Sequence, residues 1–575
     1  MRSDNRLPGW AAALIGLVTG AVAVGVSLLA AGPVKASAFP VVAVGDAAVD
    51  LAPAGLKDFA IRTFGENDKP VLLAGILAVM AVLAVAVGVF AARDLRYGLA
   101  GLAAFGAVGV AAVLTRPGAG PADVIPTVAG VAAGAIALRV LLRRASAARP
   151  DDARPEEIRP DDARPEEIRS GDACPEIRSG DVRLEKTRPG DVRPAETGPD
   201  GARPEETGPP VMRAGRDRYA LNRRGLLTGV LGGAAVAGVS GLAGRALSSR
   251  SEVSAARAGL VLPRPAVPAE PIPAGADLRI RGLTPFVTPS RDFYRVDTAI
   301  VVPQVDPRDW TLRIGGMVDR PVELTLADLL KRPLVEADVT LCCVSNPVGG
   351  PYAGNARWLG ARLADVLRDA GVRSGADMLL STSADGWTCG TPLDVVLDGR
   401  EALLAVAMNG EALPVDHGFP VRQVVPGLYG YVSATKWVTE IKVTRFDRDT
   451  AYWTTRGWAE KGPVKTQSRI DLPRDGARVP PGRTVIAGVA WAQHRGVDAV
   501  EVRIDGGPWR RARLAEAPTA DTWRQWVVDD WDAVRGRHTI EVRATDATGR
   551  PQTARRAPVT PDGATGLHTV TVTVA

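Results

Sequence analysis

Long uncharged apolar runs crowd one end of the chain, and short alternating ones fill the other. Four apolar runs lie within residues 1–145: Trp10 to Ala31, Val71 to Ala92, Gly98 to Leu114 and roughly Val124 to Leu142. The first two are 22 residues long without a charge, enough for the ~20 residues a helix needs to cross ~30 Å of hydrocarbon. The other two are shorter and rich in Ala and Gly, and Arg139 near the end of the fourth can snorkel to the interface. Residues 1–145 therefore read as a four-helix transmembrane region.

The charged flanks orient these spans. "MRSDNR", "ARDLRYG" and "RVLLRRASAARP" precede run one, separate runs two and three, and follow run four. All three belong on the cytoplasmic side if the N-terminus is inside. The remaining two loops then face outward, and "GDAAVDLAPAGLKDFAIRTFGENDKP" leans acidic.

Residues 146–218 carry "RPDDARPEEI" twice in tandem, at 149 and 159, decaying into related copies. Frequent proline, mixed charge and scarce aliphatic side chains leave nothing to build a core, which predicts a disordered cytoplasmic linker. Cys174 within it reads as an incidental thiol. Residues 219–250 follow with Arg223 and Arg224 ahead of a weakly apolar run, Gly225 to Gly244. The pattern resembles a twin-arginine export signal placed in mid-chain; the alternative is an ordinary fifth transmembrane helix. Either way the residues beyond 250 are expected outside the cytoplasm.

From about residue 275 the pattern shortens. "TLRIGGMV", "VELTLADLLKR", "ARLADVLRDAGV", "ADMLLSTSA" and "TKWVTEIKVTRF" mix short strands with short amphipathic helices, which predicts an α+β domain over 275–455. No G-x-G-x-x-G follows a strand and no phosphate-loop motif occurs, so nicotinamide and nucleotide readings lose their support. Residues 456–575 read as alternating strands with turn residues between, such as "RTVIAGVAWAQ" and "RHTIEVRATDATG". The spacing predicts an immunoglobulin-like β-sandwich serving packing or dimerisation.

Composition changes this picture little. The net charge of +6 comes from arginines beside apolar runs and within a mixed-charge repeat, so nucleic acid is not an expected partner. Four cysteines, at 174, 342, 343 and 389, with no C-x-x-C pair, point away from a disulfide framework, a structural zinc site or a cysteine-ligated cluster. The four histidines, 417, 494, 538 and 568, all lie in the C-terminal half.

The adjacent pair Cys342 and Cys343 is the feature that asks for chemistry. "DVTLCCVSN" alternates like a strand ending in a turn, so the two side chains point to opposite faces and cannot serve one metal. Adjacent Cα atoms also lie too close for an ordinary disulfide. One cysteine is then a small core residue. The other sits where the strand opens into "SNPVGG", whose glycines are expected to admit a bulky ligand.

Several motifs, in order, resemble the sulfite oxidase family of molybdopterin-dependent oxidoreductases: "CVSNPVGG", "YAGNARWLGARLADVL", "AMNGEALPVDHGFPVRQVVPGLYGYVSATKWV" and "RGWAEKGPVKTQSRI". The resemblance covers roughly 280 to 575, and the terminal domain is similar to that family's dimerisation domain. The membrane half resembles the anchored actinobacterial branch. The resemblance implies a sulfite-oxidase-type fold for 275–455 and a molybdenum-molybdopterin cofactor, with Cys343 as the protein ligand to the metal and Cys342 left structural. It further implies that His417, Arg422, Ser433 and Lys436 hold the cofactor, that Tyr294 and Arg295 line the site, and that Arg295 binds an anion near the metal. Two departures stand out: Arg295, Val296 and Asp297 occupy the place of an Arg-Asn-His triplet in animal and plant members, and Trp387 aligns loosely with an active-site tyrosine. Both put sulfite in doubt as the substrate. Cys389 is either a second core thiol or a partner for Cys342.

The implied reaction is oxygen-atom transfer with two electrons exchanged, from a small oxoanion or sulfoxide-type substrate. A membrane haem would need paired axial ligands, and the apolar runs hold no histidine. No haem is therefore expected in this chain, and a separate electron-transfer partner is. The rival reading is a non-catalytic exported binding module, which would not need a Cys343 thiolate.

Overall fold

A computed structural model describes residues 7–34, 38–52, 68–116, 119–146, 222–246 and 250–575. The low-complexity tract with its Cys174 lies outside the described residues. In the N-terminal part the helices are α1 (Gly9–Ala31), α2 (Pro40–Leu51), α3 (Asp68–Ala91), α4 (Leu95–Leu114), α5 (Ile125–Ser146) and α6 (Arg223–Ala246). Five of these, all but α2, are long and apolar enough to cross a membrane.

Local signals explain where the helices begin. Asp94 caps α4 by accepting from the Arg96 N–H at 2.8 Å, so this helix starts before the apolar run does. Ahead of α5, the Asp123 carboxylate accepts from Gly120 N at 2.8 Å, and Arg143 and Arg144 occupy the helix's last turn, where cations suit its dipole. Asn222 caps α6 through Gly225 N at 2.8 Å.

Helix α1 runs through the middle, against α3, α5 and α6. Small residues permit this: a methyl group at Gly16 would strike the Ala84 carbonyl, and one at Gly88 the Ala12 carbonyl, so the α1 and α3 backbones touch. Helix α6 lies along the same α1, with Gly25 facing Ala237 and Gly233 facing Val18. The segment with the twin arginine is thus a fifth member of the bundle. The stretch after α1 was expected to be loop alone; instead "PVVAVGDAAVDL" forms α2, with proline at its first turn and Val41, Val42 and Ala43 buried. It is too short to span a bilayer.

After α6 comes α7 (Arg250–Ala258), whose Val253 is buried in a cluster with Phe293, Trp358 and Phe419 of the domain that follows. Arg257 fixes it, Nε to the Leu413 carbonyl and Nη2 to the Ala412 carbonyl, both at 2.7 Å. That domain contains β1 (Thr311–Gly316), β2 (Val322–Thr325), β3 (Leu334–Cys342), β4 (Ala353–Arg362), β5 (Met378–Ser383), β6 (Thr388–Pro392), β7 (Leu403–Met408), β8 (Glu411–Ala412), β9 (Arg422–Val424) and β10 (Val438–Thr444). One sheet runs β2-β1-β10-β5-β6, and the other β3-β4-β7-β8 with β9 beside β7. Short helices, Leu326–Leu330, Leu363–Ala370 and Leu393–Leu397, sit between strands as the mixed pattern predicts.

Residues beyond about 465 are β-rich: β11 (Gln467–Leu472), β12 (Arg478–Val479), β13 (Gly482–Trp491), β14 (Val497–Ile504), β15 (Arg510–Arg511), β16 (Arg513–Leu514), β17 (Arg524–Ala533), β18 (Gly536–Asp546) and β19 (His568–Val574). Sheets β11-β13-β17-β16 and β12-β19-β18-β14-β15 close over one core, with Ile486 and Trp526 from the first meeting Val500, Ile540 and Val572 from the second. This region is not a separate bead. Val489, Trp491 and Trp523 belong to the core of the preceding domain, and the Trp523 indole N–H donates to the Phe286 carbonyl at 2.8 Å.

Candidate active site

Strand β3 ends between the two cysteines and sends them apart. Cys342 is buried in the core, where its sulfur accepts from Gln493 Nε2 at 3.2 Å, and burial pushes its thiol up to about 12. Cys343 is only partly covered and faces a cavity of about 690 Å³. Its Sγ lies 2.9 Å from Ser345 Oγ. Burial raises this thiol too, opposed by the Ser345 hydrogen bonds and the charge of Lys436. Cys389 is buried, and Cys342, Cys343 and Cys389 are all free, so Cys389 is a second core thiol and not a partner for Cys342. The glycines after the pair are closely packed: Gly349, at φ 77°, lies against the His568 ring of the terminal region, and Gly350 against Asn346 and Pro347 of its own turn, where side chains would not fit.

The "DHGFPVR" stretch forms the turn Val415–His417 and then β9. Gly418 passes at φ 111°, where an added methyl would press on Arg422 and Lys436 at 3.0 and 3.1 Å. Arg422 is buried, with Nη1 on the His417 carbonyl at 3.1 Å and its guanidinium 5.0 Å above Trp358; burial lowers it to about 10. His417 is buried beside it and lowered to about 4, by burial first and then by the charges of Lys436 and Arg422. His417 Nδ1 and Arg422 Nε are buried with no hydrogen-bond partner. Buried donors and acceptors left open in this way cost on the order of 1–3 kcal/mol each; Arg422 lines the cavity and His417 is buried beside it, which marks a place for a polar ligand.

Lys436 lines the cavity, but Asp297 claims its charge: Nζ lies 2.9 Å from Asp297 Oδ2 and donates to the Asp416 carbonyl at 3.1 Å. Arg295 shares the same carboxylate, Nε to Asp297 Oδ2 at 2.9 Å. Its neighbours Tyr294, Val296 and Asp297 line the cavity while Arg295 itself does not. Burial, then the nearby cysteines, hold the Tyr294 phenol well above its ordinary range. Ser433 is buried with its Oγ donating to the Leu428 and Tyr429 carbonyls, 3.1 and 3.0 Å away, and is not part of the cavity wall. The structure thus brings Cys343, Tyr294, Arg422 and Lys436 to the wall, sets His417 behind them, and turns Arg295 and Ser433 to other partners.

Sequence reasoning named Tyr294 and Trp387 but missed the other rings of the wall. Phe293, Tyr294, Trp387, Tyr431, Trp437, Trp453 and Trp458 all line it, a heavy draw on a chain with only 12 Trp, 7 Tyr and 9 Phe. Their ring contacts form two groups. Phe293 stacks on Tyr294 at 5.2 Å and meets His417 edge-on at 5.7 Å. At the other, Trp458 meets Tyr431 at 6.0 Å and Trp453 at 6.1 Å. Trp387, held by its N–H on Asp385 Oδ1 at 3.1 Å, has an indole N–H buried without a partner. Trp437 adopts φ 48°, costly for a bulky residue, and its indole N–H donates to the Val415 carbonyl at 2.8 Å. The "AYWTTRGW" run, dense in rings, is the sequence signal that could have flagged one end. Ala52, just after α2, and Thr560 of the terminal region complete the lining.

The chain is similar to several known proteins. Residues 299–453 match the oxidoreductase molybdopterin binding domain. The chain is 35% identical over 285 residues to sulfite oxidase from Gallus gallus, covering 41% of this chain and 61% of that one. It is 36% identical over 157 residues to the uncharacterized oxidoreductase YuiH from Bacillus subtilis, covering 27% of this chain and 76% of that one. It spans about half the length of the mammalian sulfite oxidases it matches, 52% of the mouse protein. Among solved structures, the sulfane dehydrogenase SoxCD from Paracoccus pantotrophus aligns with 50% of this chain and 81% of that one, at 26% identity and a TM-score of 0.44.

Proposed function

Because the chain belongs to the sulfite oxidase family of molybdopterin-dependent oxidoreductases, we propose that it is a membrane-anchored enzyme of oxygen-atom transfer whose reaction centre is the cavity at Cys343. What carries this reading is one partly exposed thiol on the wall of a cavity that Arg422 also lines, with Arg422 Nε and, behind the wall, His417 Nδ1 buried without a hydrogen-bond partner. That donor set suits the family's cofactor. Among the described residues no three His, Cys, Asp or Glu side chains gather as a metal site, so a metal here must bring most of its ligands with it.

Cys343 would be the single protein ligand, a soft anionic donor. Arg422 and His417 would receive the pterin and its phosphate, with Tyr294 and Lys436 beside them. Ser433 would contribute by fixing the turn that carries Tyr431, and Arg295 through its pairing with Asp297 at the rim. When bound, the cofactor supplies two-electron chemistry and an oxygen atom to exchange. The protein's share is a covered, ring-lined space that excludes water and orients the substrate.

The leading substrate class is a small oxoanion, with electrons passed to a separate partner. A second reading, oxygen taken from a sulfoxide-type substrate, is favoured by the ring-rich wall and by Asp297, which occupies Lys436, a cation that an anion in the cavity would otherwise meet. The bundle supports an N-terminus inside and a catalytic domain outside. Arg143, Arg144, Arg223 and Arg224 share one end, joined by Asn222 N on the Ala145 carbonyl at 3.3 Å, while α2 and the Asp46 to Arg116 ion pair lie at the other. The two terminal sheets read as an immunoglobulin-like sandwich suited to homodimer formation.

Metal analysis tests the proposal. Molybdenum is expected in the purified intact chain, and Cys343→Ala is expected to lose oxygen transfer; intact protein without molybdenum would sink the reading. Steady-state rates of sulfite oxidation against sulfoxide reduction choose between the two substrate classes.

A further inference from the structure

One residue of the cavity lining comes from the other half of the chain. Ala52, the residue after α2, lines the same space as Cys343, together with Val296, Asp297 and Thr298. Two turns back, Gly45 is wedged between the halves: a Cβ there would meet Ile300 Cδ1 at 3.0 Å and Ile76 Cδ1, on α3, at 3.2 Å. Helix α2 is fixed in that position from the membrane side. Ala43 packs on Ala112 and Val113 of α4, Val41 and Val42 are buried, and Asp46 pairs with Arg116 just beyond α4.

We propose that the C-terminal end of α2, through Ala52, forms an edge of the cavity, so that a segment packed on the membrane bundle sets the width of the path to Cys343. The bundle's packing onto the Ile300 segment makes α2 a fixed rim and not a flap. The bearing of this edge on substrate entry rests on the cavity being the reaction centre proposed above, but the position of α2 does not.

Thiol alkylation in the full chain, purified in detergent after growth without molybdate and carrying Cys174→Ser, isolates the point. Cys343 is then the partly exposed thiol, Cys342 and Cys389 being buried. Labelling of Cys343 by iodoacetamide and by a bulky fluorescent maleimide is followed by peptide mass spectrometry. Ala52→Trp, which adds a large side chain to the lining, is expected to slow both reagents several-fold. Gly45→Leu, which must push against Ile300 and Ile76, is expected to lift α2 and speed the bulky reagent several-fold while iodoacetamide changes less. Bulky-reagent rates equal to the parent's in both variants, with unchanged melting temperatures, would overturn the proposal. The metal is absent throughout, so this result stands apart from the molybdenum measurement: either can fail alone.

Discussion

Asp297 holds two cations at once, Arg295 and Lys436, each 2.9 Å from the same oxygen. The Lys436 pair is nearly out of solvent, so the carboxylate is what makes a buried ammonium tolerable there. Removing one member of a buried pair typically costs about 3–5 kcal/mol, because the other is left uncompensated. Asp297→Asn is therefore expected to lower the thermal midpoint of the full chain by several degrees, read by intrinsic tryptophan fluorescence, while Asp297→Glu loses less. Sequence alone presented Asp297 only as a departure from a motif, since its partner stands 139 residues away. The preference for Cys343 came from the family motif, while the parting of Cys342 and Cys343 was legible because strand alternation is a local rule. Ser433 was not, because a hydroxyl's choice between a cavity and the carbonyls of its own turn depends on backbone geometry that no motif displays.

At the end of β18 a second carboxylate joins three segments. Asp546 accepts from the Thr548 hydroxyl at 2.6 Å, from Arg550 N at 3.1 Å, from Arg495 Nε at 3.0 Å and from the Thr466 hydroxyl at 3.1 Å. Burial works to raise this acid, and the hydrogen bonds outweigh it and bring it to about 2. Its folded value is depressed below the ordinary ~3.9, so its stabilisation is full above about pH 4 and is lost as pH falls toward 2. Asp546→Asn is expected to destabilise the protein by about 1–2 kcal/mol at pH 7, the scale of weakened charged hydrogen bonds. The gap between variant and wild type should close as pH drops from about 4 to 2 in urea titrations. Elements of this kind were readable: β13, β17 and β18 follow from alternation, and α1 and α3 from uncharged length. Helix α2 escaped because 12 residues carry too few turns to announce a helix, and its buried face is defined by α4 and Ile300, which local pattern cannot supply.

Across the whole molecule, Arg223 and Arg224 are exposed at the first turn of α6, ahead of a helix that packs along α1. The pair resembles a twin-arginine export signal, and export through it is a prediction that can be tested. Replacing both with lysine preserves charge but not the guanidinium geometry. The double variant Arg223→Lys with Arg224→Lys is expected to leave the molybdopterin-binding domain inside the cell, protected from protease added to spheroplasts, whereas the parent domain is digested. The division into an apolar half and a mixed half was plain from the sequence. The cavity wall was not, because it is assembled from residues as distant as Ala52, Cys343, Trp458 and Thr560.

Helix α7 begins four peptide links after α6 ends and is anchored in the next domain by Val253 and Arg257. At ~3.6 Å per residue, even a fully stretched connection reaches only about 14 Å. Such a leash is too short to let the following domain swing away from the end of α6, so the apolar bundle and the mixed half move as neighbours and not as independent bodies.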